Sequence, residues 1–170
     1  MSLPILDLAP LGLGVAWAVV CDLRRRRIPN AVSGLVFVIG TAVRAFHGGW
    51  PAGLSSVAAS VLLLAVLFPA WRAGGIGGGD VKLAAATGAW VGLSHLVWFA
   101  LAAAVSGGVV AVVCYLLAPP ATRADVRANL LLAALRGDLP PAEATHRKGH
   151  VSLPYALAIG GGAAVALLVV

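Results

Sequence analysis

The chain has 170 residues, 61% of them hydrophobic and 11% charged, with a formal net charge of +6. A soluble domain of this length has no interior large enough to hide so much apolar surface. That excludes an ordinary globular enzyme and marks an all-α, polytopic membrane helical bundle. The basic residues sit between apolar runs instead of forming a nucleic-acid patch, so the expected partner is a lipid bilayer and no nucleic acid.

A bilayer core of about 30 Å takes roughly 20 helical residues. On that scale a first helix is predicted over residues 3–23. It lacks a basic leading region and ends in CDLRRRR, not in a small-residue cleavage site, so it reads as a retained helix and not a signal peptide. Helices over 31–46 and 52–71 follow, separated by HGGWP. The apolar run 81–118 is too long for one crossing and splits at GLS, residues 92–94, into a short fourth helix and a longer fifth. A sixth covers 151–170, which makes about six transmembrane helices in a single domain over 1–170. Cys21 and Cys114 lie at the ends of apolar runs, form no CxxC pair and read as small apolar residues.

Residues 119–150 are the one sizeable polar stretch. Within it ATRADVRANLLLAALRG has Val126, Leu130 and Ala134 at helical spacing, closed by Gly137 and the pair Pro140 and Pro141. It reads either as an interfacial helix or as a solvated loop. Six crossings put Arg24, Arg25, Arg26, Arg27, Arg72, Arg123, Arg127, Arg136, Arg147 and Lys148 on one side. The opposite loops have only Arg44 near them. The positive-inside rule then places the basic side, with the loop at 119–150, in the cytoplasm and the N-terminus outside.

Two acids fall at the cytoplasmic edge of membrane helices: Asp22 ends the first helix and Asp80 begins the fourth. Asp7 lies near the outer end of the first helix, and Asp125, Asp138 and Glu143 lie in the polar loop. Ionisable groups at membrane depth are costly and mark function. An acid in the first turn of a helix also suits the helix dipole, so Asp80 alone has a purely structural reading. A second acid at the same depth weakens that reading. Two carboxylates that meet share a proton: the neutral one polarises a carbonyl while the charged one takes a proton from water. Around Asp80, GGIGGGD supplies Gly77 and Gly79, which are read as allowing unusual backbone shapes and the close approach of another backbone, as an extended peptide substrate would need. A plain flexible linker is the bland alternative.

These segments resemble a known family. GIGGGDVKL contains Gly77-x-Gly79-Asp80, the GxGD motif of intramembrane aspartic proteases. DLRRRRIPN, with Asp22 and then Ile28, Pro29 and Asn30, is similar to the first-aspartate motif of bacterial type IV prepilin peptidases. LPYALAIGGGA, with Pro154, resembles their C-terminal helix signature. The resemblance implies a membrane aspartic endopeptidase that removes leaders from prepilins at the cytoplasmic face of the bacterial inner membrane. The cut falls after a glycine, just before the pilin's hydrophobic helix. It implies Asp22 and Asp80 as the catalytic pair and Gly77 and Gly79 as shaping the substrate loop. Lys82 belongs to the pattern without an assigned chemical role. The likeness is to the short form of Tad/Flp-type pili, or to the archaeal preflagellin peptidases. The four-cysteine zinc region tied to N-methylation is missing, so cleavage without methylation and without a cofactor is expected.

Two rivals compete. HRKGH sets His146 and His150 four apart, but Gly149 and nearby prolines oppose a shared helical face and no third ligand is evident, so no metal site is expected. A small transporter or a non-catalytic pilus-assembly scaffold would also carry intramembrane acids. Transport needs an acid reachable from both sides in turn, whereas Asp22 and Asp80 share one edge.

Overall fold

The computed structural model describes residues 5–25, 27–136 and 155–168. Among these every regular element is helical: α1 (Ile5–Arg25), α2 (Asn30–Arg72), α3 (Gly78–Val91), a 3-10 turn (Leu93–His95), α4 (Leu96–Leu117), α5 (Pro120–Arg136) and α6 (Tyr155–Leu168). The α2 segment, and the stretch Leu93–Leu117, are each long and apolar enough to cross a membrane.

The break between α1 and α2 is written in Ile28-Pro29-Asn30. A residue before proline is pushed out of the helical region, and Pro29 itself sits at φ −62, ψ 134 just ahead of the new helix. The sequence reading put a loop between helices at 31–46 and 52–71. Helical backbone instead runs from Asn30 to Arg72, with Gly49 alone outside helical dihedrals (φ 68, ψ −170). Glycine adopts that left-handed φ without a Cβ penalty. The chain reverses there: a Cβ on Gly53 would lie 3.1 Å from that of Ala45, whereas eight residues of straight helix span about 12 Å. The α2 segment is therefore a hairpin of two limbs.

The α3 helix is the hub. It packs against α1, both limbs of α2, α4 and α6. From Val81 to Val91 every residue but Lys82 is buried. A helix that is apolar all round belongs in the centre of a bundle. At 14 residues it is about 21 Å long, too short for a full bilayer core. Polar bonds lock it laterally. Trp90 Nε1 donates to the Val36 carbonyl at 2.8 Å, and Ser60 Oγ donates to the Ala85 carbonyl at 2.8 Å. At its far end Arg44 Nη1 donates to the Trp90 carbonyl at 3.2 Å, placing a cation where the helix dipole is negative. Small residues let the helices close up. A Cβ on Gly162 would lie 2.6 Å from that of Ala103, where α6 meets α4.

Gly40 carries the sharpest of these constraints, because a Cβ there would land on the Trp90 indole nitrogen. Gly40→Ala is expected to push the buried indole off the Val36 carbonyl and destabilise the fold by about 1–3 kcal/mol. Thermal unfolding in detergent checks this, with Gly12→Ala as the comparison because nothing lies within 4 Å of a Cβ there.

The segment that the sequence left as helix or loop is helical as α5, with Pro120 as its first residue. It is tied to the end of α4: Arg123 Nε donates to the Ala118 carbonyl at 2.9 Å, and Arg127 Nε to the Tyr115 hydroxyl at 2.6 Å. The outer faces of α2 and α4 expose large apolar side chains, among them Val61, Val66, Leu101, Val105 and Leu116.

Candidate active site

The end of α1 and the start of α3 meet at one end of the bundle. Asp22 stands one turn before the end of α1, and Asp80 lies in the first turn of α3; both are half-buried. They are 58 positions apart in sequence, yet the fold brings them to the same end of the bundle, within electrostatic reach of one another. Asp80 Oδ1 is buried and has no hydrogen-bond partner among the described residues.

The two motifs are joined by more than their acids. A Cβ on Gly79 would lie 3.1 Å from Ile28 Cβ and 3.5 Å from the Ile28 backbone nitrogen, so Gly79 is the gap into which the chain after α1 fits. Lys82 Nζ donates to Asn30 Oδ1 at 2.9 Å, which ties the first residue of α2 to the N-terminal part of α3. Lys82, left without a role by the sequence, thus has a partner from the other motif. Trp71, read from the sequence only as a helix end, closes over Gly78, where a Cβ would sit 3.0 Å from its indole nitrogen.

Gly77 and Gly79 do not provide the unusual backbone shapes expected of them. Neither has positive φ; in the loop before α3 that role belongs to Gly74, at φ 76. Gly77 is extended, at φ −67 and ψ 140, and any residue adopts those angles. What it supplies is space: a Cβ on Gly77 would lie 2.6 Å from Asp80 Oδ2. At Gly79 the backbone that comes close is that of this chain's own Ile28.

Pro154, His146 and His150 lie outside the described residues. Residues 155–163 of the C-terminal signature are on α6, where Ala158 and Ile159 are buried and Gly161 faces Ser106. At the opposite end of the bundle, Asp7 pairs with His47 at 2.7 Å, which keeps a third acid away from this site.

Two carboxylates within electrostatic reach, at the mouth of a packed apolar helical bundle, define the class of two-aspartate helical membrane proteins. The type IV leader peptidase family model matches residues 10–112, more than half of the chain, and the chain belongs to that family. Its members are peptidases that act on prepilin-type substrates. No curated protein and no solved structure matched the chain. The matched span contains Asp22, Ile28, Pro29, Asn30, Gly77, Gly79, Asp80 and Lys82.

The Lys82–Asn30 bond is exposed, and a bond of this kind contributes about 1 kcal/mol, equivalent to roughly fivefold in a rate or equilibrium. Lys82→Met and Asn30→Leu are each expected to lower peptidase activity about fivefold. The double variant should be no worse than the poorer single one, because both changes remove the same bond. Fully additive losses in that cycle would separate the two residues.

Proposed function

We propose that this chain is a prepilin leader peptidase that cuts at the cytoplasmic face of a bacterial inner membrane, with Asp22 and Asp80 as its catalytic pair. The observation that carries the proposal is the meeting of the two aspartate motifs at one end of the bundle, joined through Gly79 with Ile28 and Lys82 with Asn30. In this reading the ionised carboxylate takes a proton from water as its oxygen bonds to the scissile carbonyl carbon. The protonated carboxyl gives its proton to the carbonyl oxygen. Collapse of that intermediate breaks the C–N bond: one of its hydroxyls returns a proton to the second carboxylate while the leaving nitrogen takes up the proton held by the first, which restores the pair. Co-expression with candidate prepilins, read by mass spectrometry for loss of the leader, tests it. Prepilins left intact by a correctly inserted protein would reject it.

The same proposal gives α1, the two limbs of α2, α3, α4 and α6 as six crossings, with the N-terminus outside. Its support is the distribution of charge and aromatics. Arg24 lies in the last turn of α1, Arg27 follows it and Arg72 ends α2, while Arg123 and Arg127 of α5 bond to Ala118 and Tyr115 at the end of α4. The Gly49 turn at the other end exposes Phe46 and Trp50, which suit a membrane–water interface. Reporter fusions at Arg72 and Arg136 should therefore read cytoplasmic and one at Gly49 external. A cytoplasmic signal at Gly49 would undo the six-crossing arrangement.

A further inference from the structure

A cavity of about 420 Å³ opens beside Asp80, between the second limb of α2, α3, α4 and α6. Among the described residues, Asp80 is the only charged one that lines it. Leu63, Phe99 and Ile159 are buried in its walls, while Val66, Ala100 and Ala104 are exposed at its rim. Its α4 wall runs from Phe99 to Gly107, a helical rise of about 12 Å. The cavity is thus a cleft that starts at Asp80, whose Oδ1 has no hydrogen-bond partner among the described residues, and extends along the bundle with apolar walls. Its volume falls within the range of binding pockets, about 300–1,000 Å³.

We propose that this cleft is the subsite for the apolar stretch of peptide that flanks the scissile bond, with Phe99, Ala100, Ala104 and Gly107 setting its size. The inference rests on the peptidase reading above and adds to it where the substrate lies. A chain whose carbonyl reaches Asp80 must place its next residues somewhere, and beyond Asp80 itself the described residues that line the adjoining space offer no partner for a charge. A basic leader gains nothing there, whereas a run of large apolar side chains removes both itself and the walls from water. The small side chains of α4 allow a peptide backbone to come close. Val66, Ala100 and Ala104 leave the cleft open sideways, so an apolar helix already in the bilayer has a lateral way in.

A second cavity, of about 460 Å³, lies by Lys82 and Ser33 on the opposite side of α3 and serves as an internal comparison. The test uses a synthetic peptide of basic leader, glycine and leucine-rich stretch, with benzoylphenylalanine two residues after the glycine. It is photolysed with the full-length Asp80→Asn protein in phospholipid nanodiscs, where binding is read without cleavage. Adducts are expected within residues 63–67 and 99–107, and Ala100→Trp should abolish them. Adducts at residues 33–37 or 82–86, or on lipid alone, would overturn the proposal. In the active protein, Ala104→Phe should raise KM about tenfold for the leucine-rich peptide with kcat within about twofold. An alanine-rich flank should shrink that difference, which a general folding defect would not do. An unchanged KM for Ala104→Phe would also overturn the cleft. Adducts at the expected residues with no cutting by the parent protein would reject the peptidase reading and leave the cleft standing; cutting without those adducts would do the reverse.

Discussion

Asp22→Asn and Asp80→Asn should each insert at normal levels and each lose cleavage of a prepilin by at least about a hundredfold. An amide keeps the shape and most of the hydrogen bonding of a carboxyl but cannot cycle a proton, and positioned acid–base groups contribute about 10²–10⁴ in rate. The loss should be equally severe for the two residues, because neither carboxylate replaces the other: one activates water while its partner supplies the proton to the carbonyl. Asp7→Asn and Asp125→Asn separate this from a general need for acids. Asp7 is paired with His47 at the far end of the bundle, and a half-exposed pair of this kind contributes less than about 1 kcal/mol. Asp125 is exposed on α5. Both variants should process prepilin at close to the parent rate. Near-parental processing by either Asp22→Asn or Asp80→Asn would show that the protein is not an aspartic peptidase of this design.

Asp22 and Asp80 were visible in the sequence because a carboxylate at the edge of an apolar run is costly and therefore conspicuous. The helices were visible for the same reason, since long apolar runs declare themselves by length. The Gly49 reversal was read as a five-residue gap because HGGWP contains every usual breaker, whereas one left-handed glycine turns the chain and leaves its neighbours helical. The centrality of α3 was not legible. LAAATGAWV is apolar on every side, so its periodicity points in no direction, and only three-dimensional packing decides that Trp90 meets Val36 and Ala85 meets Ser60. The partnership of Lys82 with Asn30 was hidden because the two residues are 52 positions apart. The cleft beside Asp80 was hidden too, because residues from four separate segments line it.

Five glycines stand between Trp71 and Asp80, and the sequence gives them one common meaning, freedom of the backbone. The structure divides them, and the division makes the second large prediction. Gly74 needs its positive φ, while Gly77 is extended and needs only the absence of a Cβ, because Asp80 Oδ2 occupies that place. Gly77→Ala therefore introduces no backbone strain but sets a methyl 2.6 Å from the carboxylate oxygen, which must swing away. A shift of about 1 Å in a reacting group costs on the order of a hundredfold. Gly77→Ala is accordingly expected to lose about a hundredfold in kcat, with normal insertion and normal thermal stability. Gly75→Ala is the discriminating comparison. It lies in the same loop, and its Cβ would meet nothing closer than the Ala70 carbonyl oxygen at 3.4 Å. If the loop works through flexibility, stiffening either glycine harms activity alike; if Gly77 works by making room for Asp80, only Gly77→Ala does. Kinetics of both variants on one prepilin, with photo-crosslinking to the Gly77→Ala protein to show that peptide still binds, decide between these. Equal losses at Gly75 and Gly77 would return the glycines to a linker's role and remove the steric link between Gly77 and the carboxylate pair.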